Sequence, residues 1–243
     1  MVNNQEGSTM KVFAHRGASG HFPENTKSAI LEALNMGVDG IEVDIQSATD
    51  DYMLIHDSWL DRTTNGKGKV SEFDAATLTK LDAGNGECIP RLQQLFDWNN
   101  NKTLLNLELK HTFELEKFAD QLERNISAGT ISCANILVSS FDHHQLQWLK
   151  KRLPWLKIGA LTSSIPINYA KFAQDLNAFS VHVDKNFINK AFVDDAKKRG
   201  LEVYAYTVDK QQDIALMRDF GLDGIFTNFP MQSKAYLLSL ADK

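Results

Sequence analysis

Strand-length apolar runs alternate with helix-period stretches along almost the whole of this chain. The runs cover 12–15, 40–45, 104–109, 136–139, 158–161, 179–183, 203–207 and 224–227. The stretches that follow them, 26–36, 91–99, 113–127, 143–153, 167–175, 190–199, 210–220 and 231–241, read as helices. A strand with a helix-length crossover returns to its sheet as a parallel neighbour. Eight such units predict an α/β protein built as a (β/α)8 TIM barrel. The length of 243 residues suits one such barrel, usually about 250 residues long.

A ninth extended run, 52–56, breaks the alternation. It follows the second strand after only residues 46–51, too few for a parallel crossover. The run is expected to fold back antiparallel as a hairpin arm above the barrel rim. That would bring His56 over the mouth without using a barrel position. Residues 57–90 then form a small insertion after strand two, with a turn cluster at Thr64-Asn65-Gly66-Lys67-Gly68 and a short helix at 74–82. Such an insertion belongs to the C-terminal face, where barrel active sites lie. The expected organisation is a disordered leader at 1–9 and one domain over 10–243.

Within the apolar runs a few ionisable residues stand two apart. Glu42-Val43-Asp44 and Glu108-Leu109-Lys110 each put two charged groups on one face of a strand. Ile41, Val43 and Ile45 take the opposite parity, as do Leu105, Leu107 and Leu109, so the apolar sides should face the helices. Glu42, Asp44, Asn106, Glu108 and Lys110 are then expected to point at the barrel axis. Three inward carboxylates would repel one another without a cation. With no cysteine in the pattern they suit one divalent cation, Mg2+ or Ca2+ with Mn2+ as a further candidate, rather than zinc. Ion pairing of Glu108 with Lys110 or Arg16 is the alternative.

His15 ends the first strand and Arg16-Gly17 follows. Arginine suits bidentate phosphate contact, and Gly17 and Gly20 let backbone approach a ligand. In Glu24-Asn25-Thr26, Asn25 or Thr26 can cap the next helix, and Glu24 is a candidate partner for Arg16 or substrate. His56 opposite His15 would place an acid and a base on two sides of a phosphorus, as in-line displacement at a phosphodiester requires. His182 and Tyr206, each on the inward parity of its strand, are candidates for substrate contact; the alternatives are a hydrogen-bonded core polar residue for His182 and core packing for Tyr206. His143-His144 reads as surface.

The net charge of -5 carries no nucleic-acid footprint, although local cations can still hold a small anion. Cys88 and Cys133 have no metal-binding spacing and read as free thiols. No apolar run approaches the ~20 residues of a membrane helix, and residues 1–9 have no signal-peptide core. A cytoplasmic enzyme without stable membrane association is expected; its oligomeric state is left open.

Several runs in order carry a resemblance: His15-Arg16-Gly17, Glu24-Asn25-Thr26, Gly40-Ile41-Glu42-Val43-Asp44, His56-Asp57, Leu60-Asp61-Arg62-Thr63-Thr64-Asn65-Gly66, Ile89-Pro90, Glu108-Leu109-Lys110 and Asp223-Gly224-Ile225-Phe226-Thr227. The chain resembles the glycerophosphodiester phosphodiesterases, within the phosphatidylinositol-specific phospholipase C-like superfamily. The resemblance implies metal-dependent hydrolysis of a small glycerophosphodiester to sn-glycerol 3-phosphate and an alcohol. It implies Glu42, Asp44 and Glu108 as metal ligands, His15 as base, His56 as acid, and Arg16 and Lys110 as phosphate contacts. Two departures stand out. The family's W-T-V-N stretch reads Tyr206-Thr207-Val208-Asp209 here, and its Asp after the last strand is Asn228. Asp209 is expected to favour a cationic head group. The alternatives are a superfamily phospholipase acting on intact lipid, with Trp59 and Phe73 as the apolar residues at its mouth, and a non-catalytic phosphate-binding barrel.

Overall fold

The computed structural model describes residues 10–110 and 114–241. The leader at 1–9 and the expected helix start at residue 113 lie outside the described residues. The strands are β1 (Lys11–His15), β2 (Gly40–Ser47), β3 (Tyr52–Leu54), β4 (Leu104–Leu109), β5 (Ile136–Ser140), β6 (Lys157–Thr162), β7 (Ser180–Asp184), β8 (Glu202–Tyr206) and β9 (Gly224–Thr227). The helices are α1 (Lys27–Asn35), α2 (Ala75–Leu78), α3 (Leu92–Asn99), α4 (Leu115–Ser127), α5 (His143–Arg152), α6 (Lys171–Asp175), α7 (Lys190–Lys198), α8 (Gln211–Phe220) and α9 (Pro230–Ala241). All strands but β3 run parallel in the order β1-β9-β8-β7-β6-β5-β4-β2, and β1 pairs back onto β2. The sheet is a closed (β/α)8 barrel, as the alternation requires.

The parity of each strand decides what faces where. Ile41, Val43, Ile45, Leu105, Leu107 and Leu109 are buried in the layer between barrel and helices, against Ile30, Phe96 and Phe118. The lower interior holds a second, aromatic core of Phe13, Leu137, Tyr204 and Phe226. Phe13 lies 5.0 Å from both Tyr204 and Phe226, ring centre to ring centre. It fits because residue 40 is glycine: a Cβ there would lie 2.4 Å from the Phe13 ring. This apolar plug closes the barrel floor, so inward polar side chains above it have only the mouth to face.

The extra run behaves as the short return demands. β3 pairs antiparallel with the upper end of β2, Ile45 opposite Leu54 and Ser47 opposite Tyr52. Ile55 N–H donates to the Asp44 carbonyl at 3.1 Å, and Gln46 Nε2 to the His56 carbonyl at 2.9 Å. These bonds carry His56 to the mouth. The insertion has its own small core of Met53, Ile55, Leu60, Val70, Ala75, Leu78 and Ile89. Phe73 packs against that core, whereas Trp59 is 52% exposed.

Two helices are shorter than their patterns suggest. The one expected at 74–82 is α2, capped by Asp74, whose side chain accepts from Thr77 N–H. Its far end is claimed by a turn: Asn65 accepts from Asp82 N–H, and Asp82 accepts from Gly84 and Gly86. The one expected at 167–175 starts only at Lys171, because Tyr169 has a left-handed φ of 45° and Ala170 N–H goes to Asp195 instead. Among the described residues no helix is long and apolar enough to cross a membrane.

Candidate active site

Glu42 and Asp44 on β2 and Glu108 on β4 meet just above the aromatic plug, all three buried. Strand register aligns them, with Asp44 opposite Glu108. One carboxylate oxygen from each lies within 4.8 Å of the other two. Glu42 Oε2 accepts the Arg16 backbone N–H at 2.9 Å, whereas its Oε1 is buried without a hydrogen-bond partner. Asp44 Oδ2 accepts from Asn25 Nδ2 at 2.9 Å, and Asn25 Oδ1 accepts in return from Asp44 N–H at 3.1 Å. Lys110 pairs with Glu108 and, at 3.1 Å, with Asp44 Oδ1. Arg16 Nε lies 3.2 Å from Asp44 Oδ2.

Three carboxylates therefore share two cations, and the electrostatics show the deficit. Burial, then the Asp44 and Glu108 charges, push the Glu42 carboxyl well above the usual carboxylate range. Burial also raises Glu108, against the pull of Lys110. Asp44 goes the other way: burial opposes its charge, but Lys110 and Arg16 outweigh burial and hold it low. An orphaned buried oxygen on a carboxylate short of positive charge, with two further acid oxygens in reach, fits a hard divalent cation. Of the ion pairs foreseen as the alternative, Glu108 with Lys110 is present, whereas Arg16 pairs with Asp44 and Glu24, and Glu42 is left unmatched.

His15 closes β1 beside this cluster, with Nε2 4.0 Å from Glu42 Oε2. Its Nδ1 lies 2.8 Å from Asn228 Oδ1. Burial first, and the Arg16 charge second, lower its pKa to about 4, so the ring is neutral at pH 7. Arg16 and Gly17 turn the chain here with φ of 58° and 78°. A Cβ on Gly17 would lie 2.6 Å from the Ala29 carbonyl carbon, so α1 and this turn approach only because residue 17 is glycine. Asn25 is also left-handed (φ 60°), and Thr26 is the residue that caps α1.

His56 approaches from the hairpin side, its Nδ1 2.5 Å from Asp57 Oδ1. Hydrogen bonds from Arg62 and from His56 outweigh burial and hold the Asp57 carboxyl down to about 2. Arg62 Nε donates to Asp57 at 2.6 Å, and its other nitrogens reach Glu24 at 2.8 and 3.0 Å. Glu24 also accepts from Arg16 Nη1 at 2.8 Å. Glu24 thus ties the Arg16 turn to the insertion, and both its oxygens are spoken for.

A cavity of about 190 Å3 joins these groups, lined by His15, Arg16, Glu42, His56, Glu108 and Lys110. Fully buried His182 lies at its floor, its Nε2 2.9 Å from Ser180 Oγ and its Nδ1 unpartnered. Tyr206 lines its wall and donates to the Thr162 carbonyl at 3.0 Å. His56, Lys110 and Phe141 also line an adjoining groove of about 550 Å3, together with Trp59, Asp142 and Gln145. Asp209, read above as a charge for a cationic head group, does not line the cavity. Its oxygens accept from Thr227 Oγ1 and from the backbone and side-chain N–H groups of Asn228. His143, read as surface, is half-buried, stacked on Phe172 at 5.0 Å and bonded to the Leu161 carbonyl.

Sequence reasoning gave no role to Arg62 or Asn228 and took Asn25 only for a cap. Asn25 had one legible signal, an asparagine at a turn next to a helix start, where left-handed backbone is tolerated. The others are polar loop residues, Asn228 with a partner 213 positions away and Arg62 joining Asp57 nearby to Glu24 38 positions away.

The glycerophosphoryl diester phosphodiesterase family model matches residues 15–232. A glycerophosphodiester phosphodiesterase of Caldanaerobacter subterraneus subsp. tengcongensis is 37% identical over 229 residues, covering 90% of this chain and 94% of that protein. One from Bacillus altitudinis is 31% identical over 233 residues, covering 90% and 95%. The solved structure of an Oleispira antarctica phosphodiesterase in complex with the product sn-glycerol-3-phosphate superposes with a TM-score of 0.87 at 28% identity, covering 93% of this chain and 96% of that one. A closed parallel barrel, a buried acid cluster at its mouth and a family match over nearly the whole chain agree: this chain belongs to the glycerophosphoryl diester phosphodiesterase family.

Proposed function

We propose that the chain hydrolyses small glycerophosphodiesters to sn-glycerol 3-phosphate and a free alcohol, by acid-base catalysis with His15 and His56 at a cation-dependent site. The orphaned Glu42 oxygen within a three-carboxylate cluster, in one cavity with two differently partnered imidazoles, carries this reading. Glu42, Asp44 and Glu108 would hold one divalent cation, Mg2+, Ca2+ or Mn2+. A divalent cation there supplies charge stabilisation at a phosphoryl oxygen. Arg16 and Lys110 hold the remaining phosphate charge, and Glu24 keeps Arg16 aimed. His15, neutral through burial, accepts the proton of the attacking oxygen, from water or from the neighbouring glycerol hydroxyl. As the bond from phosphorus to the departing oxygen breaks, His56 delivers its Nε2 proton to that oxygen, while the Asp57 carboxylate steadies the ring through Nδ1. The alcohol leaves through the groove beside His56 and Trp59. His182 and Tyr206 shape the glycerol side of the cavity.

The test is a product assay with glycerophosphocholine and glycerophosphoethanolamine, each with Mg2+, Ca2+ or Mn2+ added singly to chelated protein. Glycerol 3-phosphate should appear only with a cation present, and His56→Ala should lower kcat about 10²-fold or more. Full activity after chelation, or a loss below tenfold in His56→Ala, would sink the corresponding assignment. Transient glycerol cyclic phosphate would identify the hydroxyl as the attacking group.

A further inference from the structure

His15, Asn228 and Asp209 end or follow three adjacent strands, β1, β9 and β8, and their side chains form a line leading away from the acid cluster. Asp209 Oδ2 accepts from Asn228 Nδ2 at 2.8 Å, and Oδ1 accepts from the Asn228 backbone N–H at 2.8 Å and from Thr227 Oγ1 at 3.0 Å. A carboxylate only accepts, so it holds the NH2 end of the Asn228 amide towards itself. Asn228 Oδ1 must then face His15, where it lies 2.8 Å from Nδ1 and 2.9 Å from Ser19 Oγ. Ser19 Oγ also lies 2.6 Å from the His15 carbonyl. An amide oxygen carries no proton. His15 Nδ1 must therefore be the N–H of the neutral ring, and Nε2 bears the lone pair. Nε2 is the nitrogen on the Glu42 side, towards the cavity.

We propose that Asp209 is a positioning residue that sets the tautomer of His15 through Asn228, keeping Nε2 as a proton acceptor. The catalytic consequence rests on the reading of His15 as the base; the tautomer itself does not. The Asp209 carboxylate does work on the amide that a neutral residue cannot. An amide at 209 keeps its oxygen on the Asn228 backbone N–H and so presents its NH2 to the Asn228 side chain, which must turn its own oxygen to meet it. With the Asn228 NH2 turned to His15, Nδ1 becomes an acceptor and the proton moves to Nε2.

The experiment pairs steady-state kinetics with 15N NMR of histidine-labelled protein, which reads the tautomer of His15 without turnover. The native protein should show protonated Nδ1 and bare Nε2. Asp209→Asn should gain the Nε2–H form and lose about 10²-fold in kcat, with KM changed less than about threefold. Asn228→Asp sets two carboxylates face to face and should also lose activity. The exchanged double variant, D209N with N228D, again puts an acceptor-only group in control and should recover the Nδ1–H form and most of kcat. A merely structural role for Asp209 would leave the tautomer where it is. Retention of the Nδ1–H form in Asp209→Asn overturns the proposal. A shifted tautomer with unchanged kcat upholds the positioning and removes His15 as base. The exchanged variant tests the claim even if Asp209→Asn does not fold, since an Nε2–H form there overturns it.

Discussion

His182 shows at the level of one residue what burial does to a titrating side chain. It lies at the barrel floor between Tyr204 and Phe226, at ring separations of 5.3 and 5.1 Å, and burial lowers its pKa to about 3. The unfolded chain, with an ordinary pKa of about 6.5, takes up a proton that the folded barrel refuses. The stability that follows is complete above pH 6.5 and is lost as pH falls from there towards 3. Between pH 7 and pH 5 this one residue should cost about 2 kcal/mol. Urea unfolding at pH 7, 6 and 5 checks it: His182→Gln starts less stable at pH 7, and its stability should fall with pH by about that much less. Glu42 is the opposite case, a carboxyl raised by burial and by its neighbours' charges. Glu42→Gln should abolish tight cation binding by calorimetry while the barrel stays folded, because Oε1 has no protein partner to lose.

Among the elements, the β2–β3 hairpin and the insertion behind it do the most for the site. The hairpin carries one histidine to a mouth whose other groups come from barrel strands, and the insertion's own core holds the Arg62 brace in place. A separate small core implies that this unit can open without the barrel. Leu78→Ala removes a fully buried side chain from it and should cost about 2–5 kcal/mol of local stability. Hydrogen exchange should then rise across residues 57–90 and stay unchanged in β4 to β7. The groove beside His56 is built partly by the insertion, through Asp57 and Trp59, and partly by the loop after β5, through Phe141 and Asp142. The groove walls are thus shared between the insertion and a barrel loop. On the proposed reaction, Trp59→Ala should raise KM several-fold with little change in kcat, because its exposed ring lines the groove and not the cavity that holds the acid cluster.

Across the whole molecule, the acid cluster exists only in the folded sheet, since Asp44 and Glu108 become neighbours through β2–β4 pairing. A cation that binds the closed form and not the open chain stabilises it by mass action, about 2.7 kcal/mol at one hundred times Kd. For a chain of this length that is several degrees in Tm. Differential scanning calorimetry with and without Mg2+, Ca2+ or Mn2+ measures the shift, which Glu42→Gln should remove. A Tm indifferent to every divalent cation would argue against the site.

The amino-acid sequence by itself determined the eightfold alternation, the inward parity of Glu42, Asp44, Glu108 and Lys110, and the antiparallel return to His56. Each follows from a local rule: a period of two along a strand, a longer one along a helix, and a minimum length for a parallel crossover. Helix ends were less legible, as α2 and α6 show, because Asn65 captures the Asp82 N–H and Asp195 the Ala170 N–H from elsewhere in the chain. Only the tertiary structure decided what Asp209, Asn228 and Arg62 are for. Their partners lie between 5 and 213 positions away, and most become neighbours only when the barrel closes. Read along the chain, Asp209 was a spare charge for a head group. In the folded barrel it is turned towards Asn228 and His15, because an inter-strand hydrogen bond depends on strand order, and strand order is a property of the closed sheet.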